Sequence, residues 1–325
     1  MDVKVGVALS SGGAAGLAHI GVLEALREAG IEVECVAGTS AGAMVGAAFA
    51  ADCLADFRQR VATWSRRHRM RLFDPIWPRS GLLGGRRALD LLGACAAQRI
   101  EALPRRFAAV ATDLDSGRRA VLRNGVIGDA VRASIAIPGV FSPLCHRGRL
   151  LVDGALVDPI PIGPTRDLGA TFVIASSVIG SAETALTTRC YAARSNRSLR
   201  GLFAGLFGAA SIPSLDLDEG LGEGADREAA VRSDGLTMIL YKASAVVQTT
   251  IAAARLREEP PDFLIAPAAH DIGLFELQRG AEAIEAGRAA VRAALPELQA
   301  AIADVRRGRA PMRWWTARES ESAAA

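Results

Sequence analysis

A serine set at a strand-to-helix corner constrains this chain more than any other feature. Val33-Glu34-Cys35-Val36-Ala37 is β-prone, Gly38-Thr39-Ser40-Ala41-Gly42 has the G-x-S-x-G form of a nucleophile elbow, and Ala43–Ala51 favours helix. Gly38 and Gly42 suit a corner whose backbone is strained and whose neighbours come too close for a Cβ. The helix from Ala41 aims its unpaired N–H groups beside the Ser40 hydroxyl, where an oxyanion forms during acyl transfer. Taken alone, the same five residues also fit a tight turn packed on a neighbouring strand.

The start of the chain repeats the order strand, glycine loop, helix. Val3–Leu9 is β-branched and apolar, Ser10-Ser11-Gly12-Gly13-Ala14-Ala15-Gly16 is a loop, and Leu17, Ile20, Leu23 and Leu26 recur at helical spacing before a C-cap glycine, Gly30. A βαβ crossover sets Val3–Leu9 beside Val33–Ala37 with both carboxyl ends on one edge. The amides of Gly12, Gly13 and Ala14 then form an oxyanion hole beside Ser40. A dinucleotide loop fits less well. Ser11 stands where the first glycine of G-x-G-x-x-G belongs, and no acidic residue is well placed about 20 positions on to hold a ribose.

The run Gly12-Gly13-Ala14-Ala15-Gly16-Leu17-Ala18-His19-Ile20-Gly21-Val22-Leu23, followed by the Ser40 elbow, resembles bacterial patatin-like phospholipases, a family that includes patatin and neuropathy-target-esterase-like acyl hydrolases. The resemblance covers about residues 3–295. It implies an α/β fold, a patatin-like three-layer α/β/α architecture with a mainly parallel central sheet, and an Asp-Gly motif farther on. Arg149-Leu150-Leu151-Val152 leads into Asp153-Gly154-Ala155, after a segment Ser134–Pro143 that is also similar to the family's. By resemblance Ser40 is the nucleophile and Asp153 its general base, a Ser–Asp dyad without histidine, metal or cofactor. Gly16, Gly38, Gly42 and Gly154 support these motifs. An Asp of ordinary pKa, ~3.9, is a poor base at neutral pH, so the dyad requires a partly dry site. Two positions depart from the family pattern: Ser11 replaces the loop's first glycine, and Ala15 replaces the usual Arg or Lys, which removes a partner for lipid phosphate and favours a neutral ester.

The implied function is hydrolysis of lipid carboxylic esters, of phospholipase A, lysophospholipase or esterase type. A catalytically weak lipid- or acyl-binding regulatory protein on the same fold is the alternative. A Ser-His-Asp triad would draw on His270, followed by Asp271, but Ser40 comes too early in the chain for that fold's elbow. Asp113, Asp115 and Asp158 read as turn or surface carboxylates.

The remaining expectations concern organisation. The 325 residues suit one large domain, 1–305, with a core of small aliphatics, since apolar residues make up 50% and aromatics 5%. The charge balance, 38 basic against 35 acidic residues, implies no nucleic-acid partner. Five cysteines without a C-x-x-C pair read as buried thiols in a reducing compartment. With neither a signal-peptide plan nor a spanning segment, the expected location is cytoplasmic, with peripheral membrane contact. That contact falls on the apolar 201–208, within a lid or insertion over 180–230, or on the Arg- and Trp-bearing 306–315 of a C-terminal tail 306–325. Helices are expected over Leu54–Arg67, Leu236–Arg257 and Ala281–Arg306, the last broken near Pro296, with a hairpin around Asp113–Gly117. Phe73 and Trp77, in a loop or cap over Leu72–Gly85, either border an acyl entrance or pack into the core. Oligomeric state has no signature in the sequence.

Overall fold

A computed structural model describes residues 2–63, Asp74, 83–179 and 236–309. The end of the helix expected over Leu54–Arg67, the basic run Arg66–Arg71, Phe73, Trp77, the whole of 180–230 and the tryptophans of the C-terminal tail lie outside those residues.

The described strands are β1 (Val5–Leu9), β2 (Val33–Thr39), β3 (Arg106–Asp113), β4 (Arg118–Leu122), β5 (Leu144–His146), β6 (Arg149–Asp153), β7 (Phe172–Ser176) and β8 (Phe263–Ile265). The helices are α1 (Ala18–Glu28), α2 (Ala41–Ala50), α3 (Leu54–Ala62), α4 (Ile127–Ser134), α5 (Ile162–Asp167), α6 (Leu236–Glu258) and α7 (Gly280–Arg306). One sheet runs β5-β6-β3-β2-β1-β7-β8, with β4 also paired to β3. The pairings among β1, β2, β3, β7 and β8 are parallel and those of β4, β5 and β6 antiparallel.

Alternation along β1 and β2 divides the core into two layers. Val7, Leu9 and Val36 pack with α1, α2 and α7, whereas Ala8, Cys35 and Ala37 pack with Ile162, Leu168 and Ala252 from the side of α5 and α6. A strand covered on both faces has no solvent side, which explains why β1 is apolar throughout instead of alternating. Gly30, at φ 71, closes α1 as expected: Gly30 N–H donates to Arg27 O and Ile31 N–H to Leu26 O, a paired C-terminal cap.

Two expectations are corrected. Pro296 does not break the last helix, which is continuous over Gly280–Arg306, with Val291, Leu298, Ala301 and Ile302 buried on either side of it. Their burial outweighs the hydrogen bond the proline forfeits. The cysteines are not uniformly buried: Cys145 is exposed and Cys53 half-buried. The stretch before Arg149 contains an additional strand, β5, too short to announce itself by alternation.

Helices α1 and α7 meet backbone to backbone. A Cβ at Gly21 would stand 1.9 Å from Ile284 O, and one at Gly287 would stand 2.0 Å from Ala18 O. Arg288 ties the contact by donating to Glu24 at 2.6 Å and Glu28 at 2.8 Å. Gly287→Ala is therefore expected to lower stability by at least about 2 kcal/mol, because a carbonyl in a helix cannot yield as a side chain can. Urea unfolding reads this, and an unchanged midpoint would show that the helices separate without cost.

β3 acts as the template on which the site is assembled. β2 pairs with Arg106–Val110 and β6 with Ala111–Asp113, while β4 overlaps both registers; β2 and β6 therefore share the other edge of β3. β2 leaves at Thr39, opposite Val110, and β6 arrives from the opposite direction to end at Asp153, opposite Ala111. Two strands meet end to end, and the residue after one faces the last residue of the other.

Candidate active site

Ser40 sits at φ 55, ψ −119, outside the regions that L-residues favour. Such a backbone costs about 1–3 kcal/mol and persists only where the surroundings over-determine it. They do so here from three sides. Ser40 N–H donates to the Ser134 hydroxyl at 2.8 Å, and that hydroxyl donates to Val110 O at 2.5 Å. Thr39 Oγ1 donates to Asp158 O at 2.8 Å. The amides of Ala43 and Met44 close on Ser40 O. The motif glycines are needed for approach: a Cβ at Gly38 would lie 2.2 Å from Gly42 O, at Gly42 2.3 Å from Leu9 O, at Gly16 2.5 Å from the Ala41 Cβ, and at Gly154 2.3 Å from Val110 O.

Ser40 Oγ donates to Asp153 Oδ2 at 2.6 Å, with both residues buried. The other carboxylate oxygen accepts from Ala155 N–H at 2.9 Å. The Asp153 main chain is clamped, its N–H donating to Ala136 O at 3.0 Å and its carbonyl accepting from Thr112 Oγ1 at 2.8 Å. Burial pushes the Asp153 carboxyl up to about 7, against the opposing pull of the Ser40 and Ala155 hydrogen bonds. A carboxylate so placed is a competent base near neutrality, which an exposed one is not.

The glycine loop forms a tight 3-10 turn, Gly13–Leu17, ahead of α1. Of the three amides expected to stabilise an oxyanion, that of Ala14 is already engaged, donating to Leu274 O at 3.0 Å. Gly12 and Gly13 keep amides without a partner among the described residues. Gly13 needs its lack of a side chain, at φ 57 with Leu274 Cδ1 standing 2.4 Å from where a Cβ would be. Ser11 is accommodated: its N–H donates to Pro159 O at 2.9 Å, its hydroxyl to Gln248 at 3.1 Å, and its φ is not positive. Ala15 is buried in the main core, so this position of the loop offers no cation.

Residues 7–166 match the family model described as patatin-like phospholipase. An uncharacterized NTE family protein of Mycobacterium tuberculosis (strain H37Rv) is 35% identical over 90% of this chain and 91% of its own length. The chain belongs to the patatin-like, NTE-related family. A second uncharacterized NTE family protein of the same organism is 33% identical over 90% of this chain but 46% of its own length. Neuropathy target esterase sws of Drosophila melanogaster is 33% identical over 57% of this chain and 13% of its own. The solved structure of VipD from Legionella pneumophila superposes with a TM-score of 0.35 at 15% identity, over 95% of this chain and 78% of that one, too little to add to the assignment. The match to the patatin-like model ends inside α5, so β7, α6, β8 and α7 lie beyond it.

Within this patatin-like frame neither His19 nor His270 joins the Ser40–Asp153 hydrogen bond. His19 is fully buried, and burial lowers it to about 4, so the ring is neutral. Its Nε2 lies 3.0 Å from the Ser10 carbonyl and must carry the proton; its Nδ1, 2.9 Å from Ser176 Oγ, accepts from that hydroxyl. It braces the backbone entering the glycine loop. His270 is exposed, and Asp271 is held by Arg279 at 2.7 Å, so the triad is not assembled. Asp113 is a turn residue, accepting from Asp115 and Ser116 amides. Asp158 departs from the surface role expected of it: it is wholly buried, and Arg119 donates to its Oδ2 at 2.6 Å. Ser134, Thr39 and Asp158 carry the elbow without having been singled out for it. Only their tertiary partners reveal them. Among the described residues no cluster of three or more His, Cys, Asp or Glu is placed to hold a metal, and no helix is long and apolar enough to cross a membrane.

Proposed function

We propose that the chain is a serine acyl hydrolase acting on carboxylic esters of lipids through a Ser40–Asp153 dyad. The observation that carries this reading is the 2.6 Å hydrogen bond from a strained, buried Ser40 hydroxyl to a carboxylate raised to about 7. Ser40 Oγ attacks the ester carbonyl as its proton passes to Asp153 Oδ2. The Gly12 and Gly13 amides, aided by the N-terminus of α2, hold the developing oxyanion. Asp153 returns the proton to the leaving alkoxide, leaving an acyl-enzyme. Water then loses a proton to Asp153, attacks the acyl carbon and releases the acid, and Ser40 recovers its proton. Every step is a proton or acyl transfer within this set of groups.

Labelling with a fluorophosphonate probe tests the nucleophile: the adduct is expected on Ser40 by peptide mapping. A protein that resists the probe while folded would support the weak lipid-binding alternative, and an adduct on another residue would remove Ser40 as the nucleophile. The base has its own signature. Asp153 must be ionised to accept a proton, so kcat/KM on a soluble ester should rise about tenfold per pH unit below roughly pH 6 and level off above roughly pH 8. A profile flat from pH 5 to 9 would remove Asp153 from the role.

A further inference from the structure

Four large apolar side chains are exposed among the described residues: Leu114 (46%), Leu150 (39%), Val246 (67%) and Val247 (45%). Both pairs lie at the end of the molecule that carries the dyad. Leu114 N–H donates to Leu150 O at 2.9 Å, and the register Asp113↔Leu151 sets the two leucines directly opposite on one face of the sheet. Exposed Cys145, opposite Leu150, continues that face. Since Thr39 pairs with Val110, the four further residues to Leu114 carry this tip about 13 Å past the level of the elbow. On the other flank, Val246 and Val247 precede Gln248, which accepts from the Ser11 hydroxyl of the glycine loop.

Charge accompanies the leucines. Arg118 and Arg147, at the two hairpin tips, are exposed and have no ion-pair partner among the described residues. Arg149 is offset by Asp113 at 3.5 Å, and Asp115 is the opposing carboxylate, facing Leu150 N–H at 3.5 Å. Two leucines and two valines on separate flanks cannot supply the roughly 800 Å² per partner of a stable protein interface. Apolar points beside unpaired arginines do match a lipid surface of anionic headgroups.

We propose that the β3–β4 and β5–β6 hairpin tips, with Val246 and Val247 across the site, seat the protein on an anionic membrane with Ser40 facing the bilayer. This rests on the proposed activity only in taking the substrate to be presented at a lipid surface. Binding is therefore read without turnover.

Ser40→Ala protein is floated with vesicles of phosphatidylcholine alone and with about a third phosphatidylglycerol. Binding is expected to the anionic vesicles and to weaken with salt. Leu114→Ser/Leu150→Ser should weaken it about tenfold or more on the same vesicles, and Arg118→Ser/Arg147→Ser should remove most of the anionic preference, at roughly fivefold per arginine. In the Ser40 background both pairs should turn over a soluble ester as the parent does, which shows that they fold. The proposal would be overturned by no flotation of the parent, by flotation that both variant pairs retain in full, or by a concentration-dependent dimer that the leucine variant abolishes without any vesicle binding. Vesicle binding by a protein inert to the fluorophosphonate would leave the surface standing and remove the hydrolase.

Discussion

Ser40→Ala and Asp153→Asn are each expected to lower kcat/KM for a short-chain p-nitrophenyl ester by about 10³-fold or more, with the double variant little worse than either alone. Ser40→Ala removes the oxygen that the proposed mechanism uses as nucleophile. Asp153→Asn keeps a group of the same shape, 2.6 Å from the hydroxyl in the parent, but one that cannot take its proton. Losses that do not add are the expectation for two groups proposed to act as one unit, with the loop amides and substrate binding intact in both variants. Steady-state rates on folded proteins measure this. Residual activity above about a tenth in the Asp153→Asn protein would mean that another group removes the proton, and additive losses would mean that the residues act in separate steps.

Asp153→Asn is also expected to make the protein more stable at pH 8. The folded carboxyl titrates at about 7 against an ordinary 3.8, so between those values the folded state binds the proton more tightly than the unfolded state does. Stability contributed by this residue is thus fully present below about pH 4 and is lost as pH rises through 7, the reverse of a salt-bridged aspartate. At about 1.4 kcal/mol per pKa unit the loss is on the order of 4 kcal/mol. Asparagine carries no such charge and can still accept from Ala155 N–H. Urea midpoints for parent and variant should therefore lie close together at pH 4 and diverge by a few kcal/mol at pH 8, with the inactive protein the more stable. Curves that stay parallel across this range would show that the charged carboxylate is not penalised in the folded state.

The parts of this site that were legible in the sequence are those where local backbone chemistry dictates residue type. Gly38, Gly42 and Gly154 abut carbonyls, Gly13 requires positive φ, and each left its mark in a short motif. Gly30 did so too, closing α1 where the apolar period ended. Residues whose roles depend on distant partners left no mark. Ser134 bridges Ser40 and Val110 across the sheet, yet in its own segment it is an ordinary helix-end serine. Asp158 looked like a surface carboxylate because Arg119, 39 residues away, neutralises it only in the fold. The glycine loop offers the Ala14 amide to the oxyanion together with those of Gly12 and Gly13, but Leu274, from a loop far along the chain, takes it. Intrinsic preference alone makes Pro296 a helix break, and burial of its neighbours overrides that preference.

The contact between α1 and α7 bears on how the chain can fold as it is made. β1 lies inside the sheet, between β2 and β7, and the face of α1 that carries Ala18 and Gly21 is covered by α7. A nascent chain that has released β1, α1, β2 and β3 therefore still carries the Ala18, Gly21 and Glu24 face of α1 uncovered until residues 280–306 emerge. These pairings span most of the length of the chain, so their loop-closure cost falls late, and until then the emerging polypeptide exposes apolar surface that the folded domain covers. Residues 7–166 hold the serine and the aspartate, but they do not hold the means to close the core around them.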